Sequence, residues 1–480
     1  MSEVSIKKNF AYKSTLTVST YLMNFVTFPY VARVLGVDGI GLVSFVDNAI
    51  NYFLLFATMG VATLGVREIA TIRNDDEKRN DIFANILGLN LLFTVGTLII
   101  YLFCILSIDK FQQYKELFYI GSAKILFTVF LVEWFFTGIE NFRYITVRSV
   151  LIKILYAISV FVLVHDKSDY QIYFSLNVLV VVINAIINMI YVRKLVRVRI
   201  QNLFKLHFMK QNISLGIYAI MTSMYLTFNV MFLGLTSGNI EVGFYTTAFK
   251  LYSVILGFFT AFTNVMLPRM SFLLGEGDDR TFQQLINKSF DAMCTFSIPM
   301  ILCSIALAPQ IIHVLSGSGY EGAILPMRII MPAILFVGIA QIIAMQVLMP
   351  MRKDKVLFLA SLIGATVSIL INIFLVPRMQ SIGTAIVLIC SEIMVTLVYI
   401  VYTFRHKLLI LPYKIVLRNI CYSLPCALIC YLCGKLITNN FIALIVAMFV
   451  SLLYWGGVQI KTCTVTGMIL KKKLIKRNPF

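Results

Sequence analysis

Residues 238–269 read GNIEVGFYTTAFKLYSVILGFFTAFTNVMLPR, an apolar run punctuated by Thr246, Lys250, Ser253, Gly257, Thr260 and Asn264. These six follow one another at spacings of four, three, four, three and four, which puts them all on one helical face. The faces between them carry Phe249, Leu251, Ile255, Leu256, Phe258, Phe259, Phe262 and Val265. Such a helix has one side suited to lipid and one side that lipid cannot solvate. A lysine at the centre of a membrane span costs about 2.5–3.5 kcal/mol on insertion scales unless it meets water, a partner or a ligand. The polar stripe is therefore expected to line a cavity.

The same design occurs earlier in the chain. A shift of 202 residues lays Gly36 on Gly238, Gly41 on Gly243, Ser44 on Thr246, Asn48 on Lys250, Asn51 on Ser253 and Arg67 on Arg269. The preceding helices agree, with Thr20 over Thr222 and Thr27 over Asn229. An offset of this size implies a duplicated half, because solenoid repeats have far shorter periods.

Composition sets the class. Of the 480 residues 59% are apolar and 13% charged, with mean hydropathy +0.88, whereas soluble domains carry roughly 25% charged residues. The apolar runs are long and continuous, unlike the short alternating segments of outer-membrane strands. The expected fold is an all-α polytopic membrane protein. Apolar windows fall near 12–35, 40–66, 82–106, 117–138, 145–165, 170–192, 212–235, 242–268, 288–313, 322–349, 356–376, 381–403, 415–436 and 441–459, which predicts about 14 transmembrane helices. The organisation expected is a six-helix lobe over 1–192, a basic amphipathic linker over 193–211, a second six-helix lobe over 212–403, and two additional helices with a basic tail over 404–480.

Charge placement orients the chain. With the N-terminus cytoplasmic, inside segments hold 31 of the 41 Lys and Arg residues, and outside loops hold only Lys110, Lys115, Lys167 and Arg378. Both termini are expected inside. The net charge of +19 then follows from topology and needs no nucleic-acid partner. The linker from Arg193 to Asn212 mixes basic residues with Leu195, Leu203, Phe204, Leu206 and Phe208, and is read as an amphipathic segment on the inner leaflet.

Six basic residues remain in or at the edges of spans: Arg33, Lys124, Lys153, Lys250, Arg328 and Lys435. Lys153 and Lys435 lie near helix ends and can snorkel, whereas Lys124, Lys250 and Arg328 lie deeper. The acids to set beside them are Asp47, Glu133 and Glu392. The nine cysteines are read as small packing residues, including Cys430 and Cys433 with their CxxC spacing. His165, His207, His313 and His406 show no ligand spacing, so no metal or other cofactor is expected, and there is no Gly-rich phosphate loop ending in Gly-Lys-Ser/Thr. The acidic stretch from Asn74 to Asp81 has Lys78 where the Asn-Asp-x-x-Asp site of membrane prenyltransferases requires an aspartate.

Phe28-Pro-Tyr-Val-Ala-Arg33-Val-Leu-Gly36, followed by Gly39 and Gly41, and Glu133-Trp-Phe-Phe-Thr-Gly138-Ile-Glu-Asn-Phe142 resemble the polysaccharide flippases of the multidrug/oligosaccharidyl-lipid/polysaccharide exporter superfamily, more narrowly the Wzx-type O-antigen and capsule-unit flippases. Arg67-Glu-Ile-Ala70 and Pro268-Arg269 fit as well, and Thr137 departs from the glutamine of many relatives. The resemblance covers the whole length. It implies two parallel six-helix lobes related by a pseudo-twofold axis along the membrane normal, around a central cavity that opens alternately to each side. It also implies a substrate, a polyprenyl-diphosphate-linked oligosaccharide moved from the cytoplasmic to the periplasmic leaflet of the bacterial inner membrane. A polysaccharide polymerase and glycosyltransferases are the protein partners expected with it.

On that reading the diphosphate would be held by Lys250, Arg33, Lys124 and Arg328. The sugars would meet Asn24, Asn48, Asn51, Thr246, Ser253 and Asn264, and Asp47, Glu133 and Glu392 would couple an ion or the membrane potential to turnover. Two alternatives stay open for the site. The cations can instead pair with the three acids to hold the structure together, and each asparagine can make an interhelical hydrogen bond. For the whole protein, a multidrug exporter of the same superfamily and a membrane transferase are the other readings. The first would present acidic groups to its cavity, and the second would need an acidic metal cluster.

Overall fold

The computed structural model describes residues 6–72, 75–197, 202–203, 205–408 and 413–462, which form helices and connecting turns with no strand among them. The chain divides into two compact units, Met1–Gly243 and Phe244–Phe480. Among the described residues ten helical stretches are long and apolar enough to cross a membrane.

The first unit begins with α1 (Ile6–Thr58), α2 (Val61–Thr71), α3 (Asp76–Ser107), α4 (Asp109–Gln113) and α5 (Lys115–Thr128). It continues through α6 (Glu133–Gly138), α7 (Phe142–Leu163), α8 (Tyr170–Val192) and α9 (Met209–Ser237), and takes in the start of α10 (Asn239–Gly275). Helix α1 packs against α3, α5, α7 and α9. It is two helices in one, because Gly36 turns the backbone at φ 70°, ψ 177°, a conformation essentially reserved for glycine. Gly238, placed over Gly36 by the 202-residue shift, has φ 88°, ψ 177°. The repeat thus extends to backbone angles.

A second pair of glycines makes the correspondence reciprocal within this unit. A Cβ on Gly41 would stand 1.7 Å from the Asn239 carbonyl oxygen, and one on Gly243 would stand 2.3 Å from that of Val37. The shift lays Val37 on Asn239 and Gly41 on Gly243, so each copy of the turn receives the other copy's glycine. Only a residue without a side chain permits either approach.

The linker is docked through its backbone and the Asn202 side chain. The Asn80 carboxamide oxygen accepts from the Arg197 amide at 3.0 Å, Arg79 donates to the Leu195 carbonyl at 3.0 Å, and Asn202 donates to Asp81. Gly88 on α3 leaves room for the Leu203 carbonyl, which a Cβ would meet at 1.7 Å. Helix α9 packs on α1 and α2 and so belongs to the first unit by compactness, although the sequence repeat groups it with the second half.

The second unit holds most of α10, then α11 (Asp279–Ala306), α12 (Ala308–Ser316), α13 (Ile324–Ile330) and α14 (Ala333–Ile342) with a π-helical turn at Ile343–Leu348. Helices α15 (Asp354–Arg405), α16 (Tyr413–Leu436) and α17 (Asn440–Lys461) complete it. Helix α15 folds on itself at Gln380, φ 53°, ψ −126°, in the short connection expected between windows 356–376 and 381–403. The two additional helices are fastened to α11 and α12. Arg418 on α16 pairs with Asp291 on α11, and Gln310 donates to the Gly434 carbonyl at 2.9 Å. Cys430 is buried with its sulfur 3.4 Å from the Ser451 hydroxyl, in line with the packing role read for it. The basic tail beyond Thr462 lies outside the described residues.

Candidate substrate and coupling sites within each unit

In the first unit three side chains expected to play three different parts come together. The Lys124 ammonium on α5 lies 2.6 Å from a carboxylate oxygen of Asp47 and 2.9 Å from the Asn51 carboxamide oxygen, and Asn51 donates to the other Asp47 oxygen at 3.0 Å. Asp47 and Asn51 are one turn apart on α1, so both reach the same cation. This ring is the ion-pair alternative left open by the sequence. It is not sealed, since the Asp47 side chain keeps 33% of its exposure and Lys124 keeps 15%. Asn48 on the same helix is half-buried and donates to the Ser44 carbonyl at 2.8 Å, the intrahelical form of a satisfied amide.

Glu133 finds a partner outside the six intramembrane cations read from the sequence. Arg148 on α7 is buried and lies 2.5 Å from Glu133. Its guanidinium also reaches Asn188 and, at 2.9 Å, the Ser149 hydroxyl, and it stacks 5.7 Å from the Tyr144 ring. Just before Glu133 the helical run breaks at Val132, which has φ 38°. A break within a span frees carbonyls that lipid cannot satisfy. Asn188 supplies the donor, giving its amide to the Leu131 carbonyl while its oxygen accepts from Tyr144 at 3.0 Å. The signal available in the sequence was Arg148 itself, near the start of the apolar window 145–165 and four residues after Tyr144.

The remaining first-unit candidates are more open. Arg33 is exposed and donates to the Pro29 carbonyl at 3.2 Å, and Asn24 is exposed on α1. Lys153 donates to the Thr20 hydroxyl at 2.6 Å, so a partner on α1 joins its expected reach toward the interface.

In the second unit the polar positions of α10 and the apolar positions between them differ in burial. Thr246, Lys250, Ser253 and Thr260 are half-buried, while Tyr252, Ile255 and Phe259 between them are buried. Ser253 donates to the Lys250 carbonyl at 2.7 Å, and Thr260 accepts from Gln341 at 2.9 Å. The Asn264 side chain lies outside the described residues. Arg328 is exposed and donates to the Ile305 carbonyl at 3.2 Å, near the C-terminal end of α11. Glu392 is 4% exposed and, among the described residues, forms no ion pair. Among the described residues no group of three or more His, Cys, Asp or Glu is placed to hold a metal ion.

Long apolar helices whose interiors carry ion pairs, amides and a lysine stripe define a polytopic membrane transporter of the all-α class. Residues 6–274 match the family described as polysaccharide biosynthesis protein, and residues 214–374 match MatE. The chain belongs to the polysaccharide biosynthesis protein family, within the exporter superfamily that its motifs resemble. It is 23% identical over 419 residues to a provisionally named O-antigen transporter of Escherichia coli strain K12, covering 85% of this chain and 99% of the relative. A provisionally named O-antigen transporter of Shigella dysenteriae is 24% identical over 402 residues, covering 82% and 98%. Among solved structures, the lipid II flippase MurJ in an inward closed conformation superposes with TM-score 0.76 at 17% identity, covering 94% of this chain and 99% of that one. An inward-facing multidrug resistance MATE transporter follows with TM-score 0.58 at 11% identity, covering 83% and 98%.

Proposed function

We propose that the protein flips a polyprenyl-diphosphate-linked oligosaccharide from the cytoplasmic to the periplasmic leaflet of the inner membrane during surface polysaccharide biosynthesis. The O-antigen transporter relatives and the MurJ-like fold support this reading. The observation that carries it is the α10 stripe, a line of hydroxyls around one half-buried lysine on an otherwise apolar helix. A diphosphate and a sugar chain cannot shed water into hydrocarbon, and hydroxyls, amides and cations replace that water. Lys250 is the leading diphosphate contact, with Arg33 and Arg328 adding guanidinium donors. Asn24, Asn48, Thr246, Ser253 and Asn264 serve the sugars.

Lys124, Asp47 and Asn51 fit a coupled exchange. Asp47 and the diphosphate compete for one ammonium, so neutralising Asp47 by a proton or a bound cation releases Lys124 to the substrate. Glu392 is the second coupling candidate, being a buried acid, and Glu133 is reassigned to structure because Arg148 holds it. An ion crossing the membrane potential supplies about 2.3 kcal/mol per 100 mV, enough to bias such a competition. The chain acts without chemical catalysis and crosses the membrane fourteen times with both termini cytoplasmic. A polymerase and glycosyltransferases act beside it.

The test is flipping of a fluorescent polyprenyl-diphosphate oligosaccharide in proteoliposomes under an imposed potential or ion gradient. Movement by wild type and its loss in Lys250→Ala at normal abundance are expected. Wild-type flipping by Lys250→Ala removes that residue from the site, and indifference to both gradients overturns the coupling. Labelling of Ser168→Cys from the periplasmic side is expected, and protection there rejects the topology.

A further inference from the structure

The linker carries an arrangement that transport does not use. Arg193 and Lys194 directly follow α8, a membrane span that ends at Val192, and Lys210 lies in the first turn of α9. Between them stand Arg197 and Lys205. All five are exposed, and among the described residues none makes an ion pair. The neighbouring acids on α3 are engaged elsewhere, Asp81 by Asn202 and Asp76 by Arg79 at 2.8 Å. Beside Lys205, Leu206 has a left-handed φ of 50° and leaves 41% of its surface exposed. That backbone is unfavourable for leucine, and the apolar side chain stands exposed directly beside Lys205.

We propose that Arg193, Lys194, Arg197, Lys205 and Lys210 form a docking surface for anionic phospholipid headgroups, with Leu206 as its apolar insert. The occupant is chosen by level and charge. Residues that directly follow one span and directly precede the next long helix lie at the headgroup layer, where lipid phosphates are the dense source of negative charge. A leucine flanked by cations matches a boundary that is anionic outside and apolar inside. Backbone pins from Arg197 to Asn80 and from Asn202 to Asn85, with the Asn202 side chain donating to Asp81, tie this segment to α3, so the surface is built before lipid arrives. In the orientation proposed above this is the cytoplasmic leaflet.

The experiment reads tryptophan fluorescence of Leu206→Trp, taken as the difference from the parent with its two native tryptophans. The protein is reconstituted in phosphatidylcholine vesicles containing brominated phosphatidylglycerol or, at the same fraction, brominated phosphatidylcholine. Quenching by the anionic lipid should be about twofold or more the stronger, and the preference should vanish in high salt and when Arg197, Lys205 and Lys210 are all changed to Gln. These substitutions spare the backbone pins, and an unchanged melting temperature confirms an intact fold. Equal quenching by both lipids overturns the proposal, because insertion would then be apolar alone. Absence of quenching with full access to aqueous iodide also overturns it and turns the patch toward a water-borne partner. If dilute polyprenyl diphosphate in otherwise zwitterionic vesicles abolishes the preference, the cations serve the substrate and the proposal fails.

Discussion

Arg148 and Lys124 both sit on spans of the first unit and both hold a carboxylate, yet their surroundings differ. The Arg148 side chain is 4% exposed and divides its donors among Glu133, Asn188 and Ser149, with Tyr144 stacked alongside. A planar guanidinium suits this, since its donors point in fixed directions toward several acceptors at once. Lys124 presents a point charge to Asp47 and Asn51 in a setting that keeps access on the acid side. The first arrangement braces a broken helix, because Asn188 also closes the carbonyl left open before Val132. The second is the pair proposed above to exchange partners. In-span ion pairs within one unit therefore need not share a purpose, and the contrast lies in burial and in the number of fixed acceptors.

Breaking the braced pair should have the largest effect. Arg148→Ala strands Asn188 and Glu133, and loss of one partner from a buried pair costs about 3–5 kcal/mol. The half-exposed Glu133 moves the expectation to about 3 kcal/mol. Thermal unfolding in detergent and membrane abundance should both fall, with Arg148→Lys intermediate. An unchanged melting temperature in the alanine variant would remove the distinction between the two pairs.

The exchangeable pair should answer differently. Lys124→Ala is expected to keep abundance near wild type while reducing flipping tenfold or more, which corresponds to about 1.4 kcal/mol or more. Asp47→Asn should leave the fold intact and make flipping insensitive to the imposed ion gradient. A large loss of abundance in either, restored in the double variant, would make this pair structural like the other. Asn51→Ala removes one neutral amide from the same ring and should cost about 1 kcal/mol, seen as a small decrease in melting temperature with partial transport.

The smallest effect marks the solvent end of the scale. Asp75 caps α3, accepting from the Lys78 amide at 3.1 Å, and that hydrogen bond with the nearby Lys78 charge holds its carboxyl below the ordinary aspartate value of 3.8. A lowered value in the folded state means that the cap stabilises fully above the ordinary value, and that its contribution is lost as pH falls through the lowered one. Amide protection in the first turn of α3, taken relative to the intrinsic exchange rate, should therefore fall only in strong acid and be flat through neutral pH. Asp75→Ala should remove that acid response, and a response persisting in this variant would assign it to another group.

Much of this was legible along the chain. Hydropathy predicted an all-α membrane protein, and ten helical stretches among the described residues are long and apolar enough to cross a bilayer, because lipid imposes long apolar runs on any helix that crosses it. The 202-residue shift located two turns in which Gly36 and Gly238 adopt similar backbone angles and Gly41 and Gly243 each receive a carbonyl from the other turn. Glycine is readable because the need for it is local, a backbone angle or a close approach that no other residue tolerates. The stripe on α10 was readable for the same reason, since helical spacing alone fixes a face.

The tertiary structure alone decided which charge meets which. Lys124 lies 77 residues from Asp47, and Arg148 lies 15 residues from Glu133 across a helix break that hydropathy does not register. Asn188, the residue closing that break, comes from yet another helix. Sequence pattern states that an intramembrane charge requires a partner but leaves the partner unspecified, because the choice depends on how separate helices pack and how deep each side chain lies. Packing therefore made Glu133 a brace and left Asp47 partly open beside its lysine.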